Sequence, residues 1–481
     1  MGAVAPGIDP ALKEREVANF VIDSREIEAG DVFFALSQPE YRENGFNGEF
    51  DDATVYVKPS IEKGAVAAVV RRDRFAEHAD ELEPLKDKLI FAEDVIKALQ
   101  NLAYNINLEW GKPVVAITGS AGKTTAKELT AHVLEGSGRK VLRNIKNYNN
   151  GLGHPLTVLN LAKDPTYDLA VLEMGMSTPM HEIERLCKIT PPDISVVLNV
   201  LPVHVEHLGT IENVAAAKAE IIVGLKSGGT AVLNTDDPRV LAMREKAPDK
   251  TITYGIENPG DVVAQEIEFS NFGETSFRLV TPTDSALVRF PLNGRHNVVN
   301  ALAAAAVGHR MGMSAEQIAK SLGSVATPPQ RGEILRFAAG FTVVNDSYNS
   351  NPAALLSMVD TLVDGSASAK RRIVVAGEML ELGEEAESIH RELGKRISGK
   401  GIDLLVGVRG LAQQLVEGAQ EAKFDNAIFA EDSEAAGAVV SEQVREGDVI
   451  LIKGSRGVRT EKVLEKLLEK FELEKSSAVR R

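Results

Sequence analysis

The chain has 481 residues, 54 Lys and Arg against 69 Asp and Glu, a formal net charge of −15, and 44% hydrophobic residues. That apolar content supplies several cores and excludes extended disorder, and at about 150 residues per domain the length predicts three domains. The acidic balance repels phosphate backbones, so a general nucleic-acid binder is not expected, and a small anionic substrate would need a local cationic pocket or a bound metal. A single cysteine, Cys187, precludes an intramolecular disulfide and fits a reducing compartment. Apolar stretches such as ALAAAAVG at 301–308 fall far short of the about 20 residues of a membrane helix. The opening residues hold no signal-peptide core, so a cytoplasmic chain acting away from membranes is expected.

Residues 1–110 read as short strands and turns, with DVFFAL (31–36), ATVYVK (53–58), GAVAAVVRR (64–72) and KLIFAE (88–93), followed by the helical stretch EDVIKALQNLAYNINLEW. Gly-Lys-Pro at 111–113 breaks the pattern. Buried strands then alternate with helices: PVVAITG (113–119), YDLAVLEMG (167–175), DISVVLNV (193–200) and GTAVLNTDD (229–237), the pattern of a doubly wound, mostly parallel sheet. From 251 to 292 a period-two alternation predicts an antiparallel patch ahead of the helix GRHNVVNALAAAAVGHRMG. A second break, TPPQRGE at 327–333, precedes FTVVND, RRIVVAGEM, IDLLVGV, AIFA and DVILIKGS, with the amphipathic helix TEKVLEKLLEKFELEK closing the pattern. The expectation is an α/β protein of three domains. They are a small mixed N-terminal domain at 1–111, a central phosphate-loop domain at 112–328, and a C-terminal Rossmann-like domain at 329–481.

The sharpest local signal is Gly119-Ser120-Ala121-Gly122-Lys123-Thr124-Thr125, placed between a strand and a helix. Glycines let backbone N–H groups close on a phosphate, and the helix start adds partial positive charge. Lys123 would reach the outer phosphates and the Thr124 hydroxyl could ligate Mg²⁺. Two residues separate the glycines where the strict pattern has four, and a plain glycine turn with a surface lysine is the alternative. Glu173 ends a strand, where open parallel sheets bind ligands, and is placed to hold Mg²⁺ opposite the loop; a solvent-facing strand-end acid is the alternative. His204 follows the next strand in LPVHVEHLG, and a lone histidine is more often packed or exposed than a ligand. Nothing in its own chemistry distinguishes Lys218 from an exposed helix lysine.

Taken together, GSAGKTT, LEMG, HVEHLG followed by AAAKAEI, and GRHNVVNALAA resemble the Mur ligase family in order and spacing. NDSYNSNP (345–352), GEMLELGEEAESIH (377–390), KGSRG (453–457), DSREIEAGDVFFAL (23–36) and NYNNGLGHPLT (147–157) extend the resemblance from about residue 20 to 470. In the first domain GFNGEFD (45–51) departs from the Phe-Asp-Gly-His-Asp of many relatives. The resemblance implies ATP-driven joining of D-alanyl-D-alanine to UDP-N-acetylmuramoyl-tripeptide, a step in making the bacterial cell wall. It implies ATP and Mg²⁺ as cofactors, no nucleic-acid or membrane partner, and a monomer. Thr124 and Glu173 would hold one Mg²⁺; His204 and Lys218, the latter as a carbamate, would serve a second. His296, Asn297 and Asn300 would face the adenine, and Arg331 and Asp346 would reach the nucleotide from the third domain. Ser24, Arg25, Asn149 and Asn150 would meet the uridine substrate, and Tyr348 and Asn349 the dipeptide. Arg456 follows the strand DVILIKGS at the same carboxyl edge as Asp346 and would pair with the dipeptide carboxylate; a surface ion pair is the alternative. The rival readings are a diamino-acid-adding or folylpolyglutamate synthase-like ligase, and a nucleotide-binding module without ligase activity.

Overall fold

The computed structural model describes residues 14–474, apart from 47, 146, 177–180, 203–207, 248–249, 270–274, 327–329 and 381. Three sheets organise them. The first has four parallel strands in sequence order: β1 (Phe20–Val21), β2 (Val32–Phe34), β3 (Ala67–Arg71) and β4 (Leu89–Ala92). One stretch read as a strand folds otherwise: Ala53–Tyr56 is a 3-10 turn and Val57–Glu62 a helix. The Asp52 carboxylate accepts the Thr54 N–H at 2.9 Å and starts the turn, and Pro59 fits a first helical turn but not a ladder. Local capping and the burial of Val57 and Ile61 thus override the β-propensity of Thr-Val-Tyr-Val.

Helix α1 (Val95–Trp110) starts at Asp94, whose side chain accepts the Lys97 N–H, and stops at Gly111, where φ is +64°. Its face of Ile96, Leu99 and Ala103 packs into a core that runs without a break from β2 and β3 into the central sheet.

The central sheet has nine strands: β5 (Val114–Thr118), β6 (Val141–Arg143), β7 (Leu169–Glu173), β8 (Ile194–Val197), β9 (Thr230–Asn234), β10 (Lys250–Gly255), β11 (Val262–Phe269), β12 (Thr275–Val280) and β13 (Ser285–Phe290). They lie in the order β13-β12-β11-β10-β9-β8-β5-β7-β6. Only β11 to β13 are antiparallel. The sequence pattern places 251–255 in that patch, but β10 runs parallel to β9 in the register Lys250↔Thr230, because the helical residues 238–246 carry the chain back across the sheet. Helices α2 (Lys123–Glu135), α3 (Ile211–Val223) and α4 (Arg295–Arg310) flank the sheet. Every residue of β5 is buried, as a central strand covered on both faces requires. The chain leaves β5 toward β7 and β6 on one side and β8 on the other, which opens a crevice at its carboxyl end.

The third sheet comprises β14 (Glu333–Arg336), β15 (Thr342–Asp346), β16 (Arg371–Gly377), β17 (Leu404–Val408), β18 (Ala427–Ala430) and β19 (Asp448–Lys453), in the order β14-β15-β19-β16-β17-β18. Apart from the antiparallel edge strand β14, which no sequence signal marked, its strands are parallel. Helix α5 (Pro352–Asp364) packs on one face and α6 (Glu461–Lys470) on the other. This sheet has its carboxyl edge toward the central crevice, with Asp346 and Lys453 as register neighbours. Among the described residues no helix is long and apolar enough to cross a membrane.

Candidate active site

Residues 119–122 connect β5 to α2, and Gly122 takes φ +83°, a conformation that L side chains rarely adopt. A Cβ there would lie 2.6 Å from the Asn300 side-chain oxygen, so the loop closes directly on α4. The loop is braced from the neighbouring strand: Asn199, just past β8, accepts the Ser120 N–H on its carbonyl at 3.0 Å and the Ala121 N–H on its side chain at 2.9 Å. The Lys123 ammonium folds back and donates to the Gly119 carbonyl at 2.8 Å. Burial holds its pKa below the usual lysine value, with the Glu173 carboxylate opposing the shift and Arg331 adding to it.

Glu173, at the carboxyl end of β7, is 3% exposed. The Thr124 hydroxyl donates to one of its oxygens and the Asn149 amide to the other, each at 2.7 Å. A carboxylate and a hydroxyl side by side at a phosphate loop form a hard oxygen pair that suits Mg²⁺, which completes its shell with water and substrate phosphates. Among the described residues no three His, Cys, Asp or Glu side chains gather into a metal-binding set.

A cleft of about 610 Å³ opens above the loop, a volume in the range of small-molecule sites. From the central sheet, residues 120–125, Asn149, Glu173, His296, Asn297 and Asn300 line it. From the third come Arg331, Asp346, Tyr348, Asn349 and Lys453. The Arg331 guanidinium lies over the Tyr348 ring at 4.0 Å from its centroid. The Lys453 ammonium donates to Asp346 at 2.6 Å and to the Asn349 carbonyl at 2.9 Å. Across the cleft, His296 Nδ1 and the Ser357 hydroxyl on α5 are 3.1 Å apart. Burial lowers the His296 pKa to about 4, with Asp346 opposing and Lys453 adding, so at neutral pH this imidazole is an uncharged hydrogen-bonding group.

The other expected residues lie elsewhere. Lys218, on α3, is 2% exposed and does not line the cleft, and burial together with the Lys123 charge brings its pKa to about 7. Arg25 is 87% exposed and is held in a two-point ion pair by Asp23, while the Ser24 carbonyl accepts the Lys63 ammonium at 3.1 Å. Asn150 turns inward, its side-chain oxygen accepting the Gly153 N–H at 2.9 Å at the start of a short helix. Arg456 is 61% exposed and pairs with Glu461 at 3.1 Å, with its guanidinium 5.8 Å from the centroid of the Tyr348 ring. His204 lies outside the described residues. The sequence gives no role to Asn199, nor to Lys453, which opens the KGSRG motif. Each sits at the end of an apolar strand, and its place depends on which strand lies alongside.

A phosphate loop paired with a strand-end carboxylate and faced by a second sheet defines a nucleotide-dependent enzyme. Residues 117–308 match the Mur ligase middle domain and residues 330–456 the Mur ligase, glutamate ligase domain. The chain belongs to the Mur ligase family. It is 32% identical over 462 residues to UDP-N-acetylmuramoyl-tripeptide–D-alanyl-D-alanine ligase of Bacillus subtilis (strain 168), covering 96% of this chain and 95% of that protein. Among solved structures it is similar to MurF from Acinetobacter baumannii, with a TM-score of 0.82 at 28% identity over 94% of each chain. It is also similar to the MurF ligase of Thermotoga maritima in complex with ADP, with a TM-score of 0.81 at 28% identity, covering 95% of this chain and 98% of that one.

Proposed function

We propose that this chain uses ATP to join D-alanyl-D-alanine to UDP-N-acetylmuramoyl-tripeptide, forming the pentapeptide precursor of peptidoglycan. The observation that carries the reading is one cleft in which the phosphate loop and Glu173 face Arg331, Asp346 and Tyr348. A carboxylate does not accept an amine until it gains a leaving group. The tripeptide carboxylate oxygen therefore attacks the γ-phosphorus, the bond to the bridging oxygen breaks, and ADP departs, leaving an acyl phosphate. The dipeptide amine adds to the acyl carbon, loses a proton, and the tetrahedral intermediate expels phosphate.

Bringing a carboxylate to a polyphosphate makes charge neutralisation the main demand. Lys123 meets it with an ammonium that donates to the outer phosphate oxygens. Thr124 and Glu173 would hold Mg²⁺, which supplies a divalent charge against the phosphates. Lys218 becomes a ligand only as a carbamate, since an ammonium cannot bind a cation, and His204 would join it at a second ion. The buried environment supports this reading, because only a neutral amine adds to carbon dioxide. A pKa of about 7 leaves about half of Lys218 neutral at pH 7, against a few in ten thousand for an exposed lysine.

His296, Asn297 and Asn300 receive the adenine side of the nucleotide, with Arg331 and Asp346 closing over it from the third sheet. Ser24, Arg25, Asn149 and Asn150 serve the uridine substrate, and Tyr348, Asn349 and Arg456 the dipeptide. The three sheets correspond to three domains, with boundaries at about residues 111 and 328. The acyl phosphate would hydrolyse in open water, so the third domain closes on the other two during turnover. Mass spectrometry of the protein incubated with ATP, Mg²⁺, the uridine tripeptide and D-alanyl-D-alanine tests the reading. The pentapeptide is the expected product. No extension there, but addition of a diamino acid to the uridine dipeptide or of glutamate to a folyl acceptor in parallel incubations supplied with those substrates, would point to the rival ligases, and no extension in any of them to a module without ligase activity.

A further inference from the structure

The ladder between β6 and β7 ends at Arg143↔Val171, two residues short of Glu173. Beyond that point one side chain continues it. Asn144, 3% exposed, accepts the Glu173 N–H on its side-chain oxygen at 2.6 Å, and its amide nitrogen donates to the Glu173 carbonyl at 3.3 Å. The same nitrogen donates to the Tyr148 carbonyl at 2.7 Å, which fixes the turn carrying Asn149. The Asn149 amide in turn holds one carboxylate oxygen of Glu173, leaving the other to Thr124. The backbone of Asn144 is tied as well: its carbonyl accepts the ammonium of Lys127, a 1%-exposed residue one turn into the phosphate-loop helix.

We infer that Asn144 is a positioning residue for the metal site, because it sets both the backbone of Glu173 and the turn whose Asn149 orients the carboxylate. Only a side chain with a donor and an acceptor in one plane can take both the N–H and the carbonyl of Glu173. Cation binding requires Thr124 to turn its hydroxyl hydrogen away and offer a lone pair, while Asn149 stays on the second oxygen and fixes the plane of the carboxylate. Without Asn144 the carboxylate remains but its direction is no longer set, so the loss falls on the metal and not on the nucleotide. The inference rests on the proposed Thr124–Glu173 magnesium site.

Equilibrium titration of ADP in EDTA and at graded Mg²⁺ tests it on the full-length protein, on Asn144→Ala and on Asn144→Asp. The aspartate keeps the size and the acceptor but cannot donate to the Tyr148 or Glu173 carbonyls, so it serves also if the alanine variant fails to fold. The expected result is metal-free ADP affinity within about twofold of the parent in both variants. The Mg²⁺ concentration that half-maximally tightens ADP binding should rise by about 10- to 100-fold, the usual loss when a partner of a metal ligand is removed. An unchanged Mg²⁺ requirement, or an equal fall in affinity with and without metal, would overturn the role given to Asn144. Absence of any Mg²⁺ effect in the parent protein would instead overturn the metal site itself.

Discussion

Lys123 sits half-buried against the loop it serves, with its ammonium on the Gly119 carbonyl and its pKa held down by burial. A charge kept there costs desolvation that the Gly119 carbonyl and Glu173 offset only in part, so Lys123→Ala should leave the thermal midpoint unchanged or slightly higher. Turnover should fall at least about 100-fold, for ~3 kcal/mol of lost transition-state stabilisation. Steady-state rates beside a melting curve check this, and near-normal turnover in the folded variant would remove Lys123 from the chemistry. At this scale the sequence was readable where the geometry is local, since the glycines, Lys123 and Thr124 lie between one strand and one helix as their order predicts. Lys453 stands in the KGSRG motif, but its pairing was not readable, because an apolar strand ending in lysine says nothing about the Asp346 beside it; that pairing is created by β19 inserting between β15 and β16. Asn199 escaped notice for the same reason, since it braces the loop only because β8 lies next to β5.

At the scale of elements, the strand–loop–helix unit depends on the backbone of Gly122. Gly122→Ala would force φ +83° on an L residue, at about 1–2 kcal/mol, and drive a methyl into Asn300. ADP affinity should fall at least about tenfold, for ~1.4 kcal/mol, in a calorimetric titration, and an unchanged affinity would show that the loop is not the nucleotide site. A second junction is electrostatic. The buried Glu40 carboxylate accepts the Ser37 and Val95 N–H groups at 2.7 Å each and joins a short helix to the start of α1. Burial raises its pKa to about 7, with backbone hydrogen bonds opposing. The folded state therefore holds this proton more tightly than the unfolded state between about pH 4.5 and 7, and the residue's contribution to stability declines as pH rises through that window. Glu40→Gln cannot titrate. Its stability relative to the parent should increase from pH 4.5 to 7.5, by at most about 3 kcal/mol. Urea midpoints at the two pH values measure this, and a constant difference would contradict it. The strands read most readily from sequence were those buried on both faces. The misreadings came where capping decided the structure, at 53–58, or where a crossover decided strand direction, at 250–255.

Across the whole molecule, the cleft is assembled from parts that lie far apart in sequence, with the phosphate loop at 119–125 and Asp346 and Lys453 across from it. Asp346→Ala should raise the apparent KM for ATP by about tenfold while the uridine substrate's KM stays near its parent value, since one lost charged contact costs ~1.4 kcal/mol or more. Equal rises for both substrates would assign Asp346 to domain closure and not to the nucleotide. Activation of the tripeptide carboxylate by phosphoryl transfer in this cleft can be followed by oxygen tracing. With the carboxylate labelled with ¹⁸O and ATP, Mg²⁺ and D-alanyl-D-alanine present, the phosphate released should carry one labelled oxygen, and little phosphate should form when the dipeptide is omitted. Unlabelled phosphate, or phosphate released at the full rate from ATP alone, would contradict the account.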